Sequence, residues 1–319
     1  MNVPELRLVM VGTKDFAVPT FVRLLDEGFT LSALITQPER PQGRDQILIP
    51  SRIKTIALER GIPVLQPPDI NDPAFLPTLQ TLAPDLLVTA AYGQILSASV
   101  LATARLGGIN LHGSLLPAYR GAAPVARAIQ HGETVTGVTV IHMTPRVDAG
   151  DILAIASTPI DPEETAGELE TRLAQLGAPL VAQTIRDLAA GRAAPIPQDP
   201  SRVSKAPKLT KAEGRIDWAL PARSIHNLVR AMQPWPTAST EWVAFDSPRR
   251  LPLIVHRTQP RDDLHGSPGQ VLVAAGSDLV VAAGTGAVAL LTIQTPGKKP
   301  TPVDAFLRGH RDLTTGRFQ

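Results

Sequence analysis

Two runs, Asp85-Leu86-Leu87-Val88-Thr89-Ala90-Ala91-Tyr92 and Gly108-Ile109-Asn110-Leu111-His112-Gly113-Ser114, decide how this chain folds. Each is a short apolar run that reads as a strand, and Ser97–Ala102 between them reads as a helix. Upstream the same alternation holds. Leu6–Thr13 and Thr30–Gln37 read as strands, while Asp15–Glu27, Ser51–Arg60 and Asp72–Leu82 read as helices. Downstream, Ala122–Gln130 reads as a helix, Val138–Met143 and Ile152–Thr158 as strands, and Glu163–Ala190 as a long helix. Alternating strands and helices predict an α/β domain with a Rossmann-like, mostly parallel, doubly wound sheet. In such sheets ligands bind beyond the carboxyl ends of strands. Asn110 and His112 fall near such an end. They stand two residues apart, so on a strand their side chains share a face.

Beyond Ala189 the character changes. Ala189–Lys208 is proline-rich and aperiodic, and reads as a linker. Leu220–Met232 then reads as a helix. Short apolar runs follow at Ala238–Val243, Leu253–His256, Gly269–Val273, Leu279–Ala282 and Ala287–Ile293, spaced by turn residues. They predict a small β-barrel or sandwich. The expected division is a catalytic domain over 1–189, a linker over 190–208 and a β-barrel domain over 209–319. Trp218, Trp235 and Trp242 all fall in the last part and read mainly as barrel core.

Charge follows the same division. Residues 1–204 hold 16 Lys/Arg against 20 Asp/Glu, a net of −4; residues 205–319 hold 15 against 9, a net of +6. A basic module beside an acidic one suggests a polyanionic partner, with solvated surface charge as the equal alternative. The chain of 319 residues has no cysteine, which excludes disulfides, thiolate metal ligands and a Cys nucleophile. It has no apolar run of membrane-spanning length and no signal-like amino terminus. A cytoplasmic protein without a membrane partner is the expectation.

Several cofactor classes lose support. After the first strand comes Gly12-Thr13-Lys14-Asp15-Phe16-Ala17, with one glycine where a dinucleotide fingerprint needs three. The phosphate-loop pattern is also missing, and Lys298-Lys299 after Gly297 does not supply it. NAD and ATP are therefore not expected. His112 and Asp148 lack further partners at ligand spacing, so no metal is expected either. Asn110, His112 and Asp148 together supply the parts needed to move a one-carbon acyl group. The Asn110 amide can donate to a developing oxyanion. The His112 imidazole can carry a proton near neutral pH. Asp148, in Arg146-Val147-Asp148-Ala149-Gly150-Asp151, can orient and charge-balance that imidazole.

The string Asn110-Leu111-His112-Gly113-Ser114-Leu115-Leu116-Pro117-Ala118-Tyr119-Arg120-Gly121-Ala122-Ala123-Pro124 closely resembles the signature of the 10-formyltetrahydrofolate-dependent formyltransferases. Thr136-Gly137-Val138-Thr139 and Val147-Asp148-Ala149-Gly150-Asp151 fit the same family, as do Thr36–Arg44, Arg215-Ile216-Asp217-Trp218, Pro234-Trp235-Pro236 and Gly297-Lys298-Lys299. The resemblance runs over essentially the whole chain. It implies a formyltransferase domain followed by an OB-like barrel, with Asn110, His112 and Asp148 as the catalytic trio. It implies that Ser114, Leu115, Leu116 and Pro117 hold the folate, and that Tyr92, Gly93 and Ile95 help to line the pterin pocket. Within the family it points to formyl transfer from 10-formyltetrahydrofolate to the methionine on initiator tRNA, for translation initiation. A nucleotide-linked amino sugar is the alternative acceptor. Arg44 is the expected acceptor-end contact, although Asp45-Gln46-Ile47 follow it where the family is often more basic. Lys205, Lys208, Lys211, Lys298 and Lys299 are the expected tRNA phosphate contacts, with Arg308 and Arg311 behind them. The expected state is a monomer.

Overall fold

A computed structural model describes residues 6–39, 41–42 and 47–319. They divide into two compact units. One holds the residues through Pro124, Val135–Pro159 and Glu170–Pro207; the other holds Val125–Thr134, Ile160–Leu169 and Lys208–Gln319.

The first unit is built on β1 (Arg7–Gly12), α1 (Val18–Asp26), β2 (Thr30–Ile35), the short pair β3 (Pro41–Gln42) and β4 (Ile47–Leu48), α2 (Arg52–Glu59) and β5 (Val64–Leu65). It continues through α3 (Leu76–Thr81), β6 (Leu86–Ala90), α4 (Ala98–Leu101), β7 (Gly108–His112) and β8 (Arg120–Gly121). Then come α5 (Pro124–Gln130), which from Val125 on belongs to the second unit, β9 (Val135–His142), β10 (Ile152–Pro159), α6 (Ala166–Ala189), which is in the first unit from Glu170, and β11 (Lys205–Ala206). The main sheet runs β10-β9-β7-β6-β1-β2-β5. β7, β6, β1, β2 and β5 pair in parallel. β9 and β10 are antiparallel, a feature that alternation alone did not reveal. Strand order reverses between β2 and β6 on either side of β1, so the switch point of the sheet lies beside the carboxyl ends of β1, β6 and β7.

β6 is buried along its whole length, as a central parallel strand must be. Its Leu87 packs with Val9, Val11, Ile35, Leu79 and Val100. Each such side chain contributes about 1.5–3 kcal/mol on leaving water. Edge strand β10 instead alternates partly buried and exposed residues.

Several helices begin later than their patterns suggest, and in two the cause is visible. Asp72 spends its carboxylate on the Ala74 amide, 2.9 Å away, and α3 starts only at Leu76. Thr165 and Glu168 form a reciprocal capping box, the Thr165 amide donating to the Glu168 carboxylate at 2.8 Å and the Glu168 amide to the Thr165 hydroxyl at 3.3 Å. That sets the start of α6 at Ala166 rather than Glu163.

The second unit carries α7 (Ala222–Ala231), β12 (Ala238–Ala244), β13 (Arg250–Arg261), β14 (Val271–Ala275), β15 (Asp278–Ala282), β16 (Ala287–Gln294), β17 (Thr301–Pro302), α8 (Val303–Gly309) and β18 (Gly316–Phe318). The antiparallel order is β14-β15-β16-β13-β12-β18, with β17 on β16. Its two ends meet through a bridge between Gln270 and Arg317, so the sheet is a nearly closed barrel. Neither α8 nor β18 was foreseen from the sequence. Trp242 is fully buried and donates its indole N–H to the Leu313 carbonyl at 2.8 Å. Trp218 is buried too, and bonds the Thr240 hydroxyl at 2.9 Å. Trp235 departs from the core reading, because it is 48% exposed. Among the described residues no helix is long and apolar enough to cross a membrane.

Candidate active site

Asn110 and His112 sit in the last three positions of β7, opposite Thr89 and Thr139 on the neighbouring strands. The i, i+2 spacing brings both side chains to one carboxylate. Asn110 Nδ2 stands 3.4 Å from Asp148 Oδ1, and His112 Nδ1 stands 3.6 Å from Asp148 Oδ2. The first is a long hydrogen bond. The second is an ion-pair distance rather than a hydrogen bond. Oδ2 also accepts the Gly121 backbone N–H at 2.9 Å. Asp148 is therefore the hub of the trio, and it occupies the left-handed region at φ 48°. Asp tolerates that region better than most residues.

His112 is buried, and its Nε2 lies 2.9 Å from the Tyr119 carbonyl oxygen. A carbonyl accepts only, so Nε2 carries the proton. Nδ1 then faces a carboxylate, also an acceptor. The imidazolium is the form that serves both neighbours.

Backbone strain and small residues shape the surrounding loops. Gly121 has φ +128°, and a Cβ there would collide with the Ala206 carbonyl oxygen. The Thr139 hydroxyl donates to the Ser114 carbonyl at 2.7 Å and accepts the Leu116 N–H at 3.1 Å. The Ser114 hydroxyl in turn donates to the Ala118 carbonyl at 2.7 Å. These bonds make Ser114 a shaper of the loop rather than a free donor. Leu116 and Pro117 are buried, Leu116 against Ile141 and Ile152, while Leu115 is half-buried.

The residues expected at the pterin pocket behave differently from one another. Tyr92 turns its ring into the core, and burial, with a smaller push from Asp69, drives its phenol up to about 12. Its carbonyl takes the Gln37 amide at 2.6 Å and the Thr13 hydroxyl at 3.3 Å. Gly93 has φ +92° and Ile95 is 57% exposed.

Lys205 belongs to the first unit, and Lys208, Lys211, Lys298 and Lys299 to the second. All five are exposed. Arg308 is paired with Asp304 at 3.2 Å. Arg44 lies outside the described residues. Among the described residues no group of three or more His, Asp or Glu gathers at metal-binding spacing. A cleft of about 440 Å³ in the second unit, lined by Arg215, Trp218, Arg317 and Phe318, contains none of the trio.

Sequence reasoning missed Gln198. It lies between Pro197 and Asp199 in the aperiodic segment, where no pattern marks it. Its amide nitrogen donates to the carbonyls of Asp148 and Gly150 at 2.9 and 2.7 Å.

Comparison with known proteins shows the family. The formyl transferase model matches residues 6–185, and the formyl transferase C-terminal domain model matches residues 208–311. A curated relative from Moorella thermoacetica, methionyl-tRNA formyltransferase, is 44% identical over 305 residues, covering 96% of each chain. The N-formyltransferase from Helicobacter canadensis, solved with folinic acid and dTDP-3-aminofucose, shares the fold at a TM-score of 0.66 and 16% identity, over 89% of this chain and 99% of that one. HypX from Aquifex aeolicus, solved with tetrahydrofolic acid, matches 95% of this chain at a TM-score of 0.62 and 18% identity. This chain spans about half of HypX, 47% of its length.

Proposed function

Because the chain belongs to the formyl transferase family, we propose that it moves the formyl group of 10-formyltetrahydrofolate to the α-amine of methionine on initiator tRNA. The supporting observation is the convergence of Asn110, His112 and Asp148 at the carboxyl end of β7. The acceptor reading follows from the curated relatives, which are named for methionyl-tRNA and span this chain almost end to end. Both folate and tRNA are substrates here, and neither is a resident cofactor.

The amine needs little activation. Free α-amines titrate at about 7.7–8.0, and an adjacent ester lowers that further. The neutral amine attacks the formyl carbon, a C–N bond forms, and the carbonyl oxygen becomes an oxyanion. One amide hydrogen of Asn110 stays close to Asp148; the other is available to the oxyanion. Both ring nitrogens of His112 face protein acceptors, so its contribution is positive charge near the developing negative charge. The bond to N10 then breaks, and the proton lost by the amine goes to N10. A water beside Asp148 carries it.

The exposed lysines of the basic module meet phosphates and supply affinity without reading sequence. Each lysine removed should lower the salt slope of tRNA binding by about 1. Arg44 is the proposed contact for the acceptor end, where open bases allow discrimination.

The deciding experiment measures formyl transfer to methionyl initiator tRNA, with methionyl elongator tRNA as control. Transfer to the initiator alone is the expected result. Transfer to neither, with folate still bound, would move the acceptor to a nucleotide-linked amino sugar.

A further inference from the structure

We infer that Gln198 is a positioning residue for formyl transfer, holding the Asp148 carboxylate where it meets Asn110 and His112. The inference rests on the proposed reaction, and its test is built to fail separately from it.

Gln198 uses its amide completely. The nitrogen has two hydrogens, and they go to the carbonyls of Asp148 and Gly150. The oxygen accepts from Arg120 Nε at 3.0 Å and from Arg120 Nη2 at 2.7 Å. A side-chain amide is the one neutral group of this size that both donates twice and accepts. A carboxylate there would set negative oxygens against two carbonyls. An alkyl group would leave those carbonyls and the Arg120 fork without this partner.

Asp148 needs such a hold, because a residue at φ 48° persists only where its surroundings fix it. Gln198 fixes the loop at Asp148 and again two residues on. Gly150 adds to this, since a Cβ there would overlap the His142 carbonyl oxygen.

The same segment also supports the carboxylate from its other side. Ile196 bridges Ile152. Ser204 accepts the Tyr119 N–H on its hydroxyl at 2.8 Å and the Arg120 N–H on its carbonyl at 2.9 Å. β11 pairs with β8, and that pairing sets Gly121, whose N–H reaches Asp148 Oδ2. Residues 196–206 therefore reach both the backbone and the carboxylate of Asp148. Gln198 meets Asp148 at its backbone carbonyl, and the segment reaches the carboxylate through Gly121, which makes their effect positional.

The test compares Gln198→Leu and the near-isosteric Gln198→Glu with the parent enzyme, each also in an Asp148→Asn background. A small displacement of a reacting group can cost about 10²-fold in rate, and that is the expected fall in kcat for both variants. The KM values for folate and tRNA should hold. In the Asp148→Asn background the same changes should cost nothing more, because Gln198 acts through that carboxylate. Equal losses in both backgrounds, or none in the parent, would overturn the inference. So would a loss explained by unfolding in thermal melts while the folded fraction keeps its kcat. The chemical shifts of the His112 ring protons in NMR, compared at one fixed pH, supply a readout that needs no activity. They should move in both Gln198 variants, and unchanged shifts would count against the inference. If the parent enzyme transfers no formyl group, the proposed reaction fails, while the NMR comparison still decides the positioning role.

Discussion

His112 and His226 are both buried, one in each unit, and their surroundings differ. Each approaches a backbone carbonyl through Nε2, Tyr119 at 2.9 Å for His112 and Pro162 at 3.1 Å for His226. The difference lies at Nδ1. In His112 that nitrogen faces the Asp148 carboxylate. In His226 it faces the Thr258 hydroxyl at 3.0 Å, which can donate to it. A neutral imidazole satisfies both of its neighbours in the second unit, and only an imidazolium does so in the first. Burial holds the His226 ring below its usual titration range, against smaller pulls from the Pro162 carbonyl and Glu163. For His226 the Glu163 carboxylate stands off at 3.9 Å from the carbonyl-bonded nitrogen; what sets His112 apart is the Asp148 carboxylate at 3.6 Å from Nδ1.

The harshest way to break this contrast is to neutralise that group. Asp148→Asn leaves the size of the site intact and removes the charge that an imidazolium needs. A buried Asp paired with a histidine can be worth about 10⁴ in kcat, and a loss of about 10³–10⁴ is expected here, with folate affinity retained. Single-turnover rates measure it. Turnover near that of the parent enzyme would leave His112 no more charged in function than His226.

Next in size is the neutral member of the trio. Asn110→Ala should lower kcat by about 10²–10³, the usual cost of one oxyanion donor, again without loss of folate binding. If the effect falls on KM alone, the amide binds substrate and does not stabilise the transition state.

The trio was legible because its members carry chemistry at short, regular spacing. Asn110 and His112 lie two apart on an apolar strand, and Asp148 sits in a short loop with Gly150 two residues on. The parallel part of the sheet was legible for a similar reason, since each strand repeats one pattern. Other features depend on contacts far apart in sequence. The antiparallel β9 and β10 follow from register with β7, which no local run encodes. Gln198 acts across 50 residues, from within a proline-rich stretch. Trp235 looks like Trp242 in composition, yet one indole is exposed and the other lies in the barrel. His226 was given no role from sequence, and its meaning came only from Thr258 and Pro162.

That histidine supplies a prediction on stability rather than rate. His226→Leu removes the donor to Pro162 and the acceptor from Thr258 inside the second unit. Leaving buried polar groups unpaired costs about 1–3 kcal/mol, which denaturant melts should register. The kcat per folded molecule should stay at the parent value. A large fall in kcat with stability intact would erase the division of labour between the two histidines.

The smallest expected effect concerns pH, and its sign follows from the direction of the shift. Because burial lowers the His226 titration in the folded chain, the unfolded chain takes up this proton first as the solution is acidified. Between about pH 7 and pH 5 the unfolded state therefore binds more protons, and linkage makes folding stability fall as pH falls. Arg230 and Arg223 reinforce the shift and Glu163 opposes it. His142 is also lowered, chiefly by burial, and acts with the same sign. Carboxylates held low by their partners, such as Asp85, titrate below this window and leave its slope alone. The parent protein should thus lose melting temperature across the window. His226→Leu should melt lower at neutral pH but lose less on acidification; His142 adds to the slope that remains, and Glu170, whose carboxyl burial pushes up, opposes it. An unchanged slope in His226→Leu would mean that His226 takes up its proton equally in the folded and unfolded chain, and the contrast with His112 would then rest on activity alone.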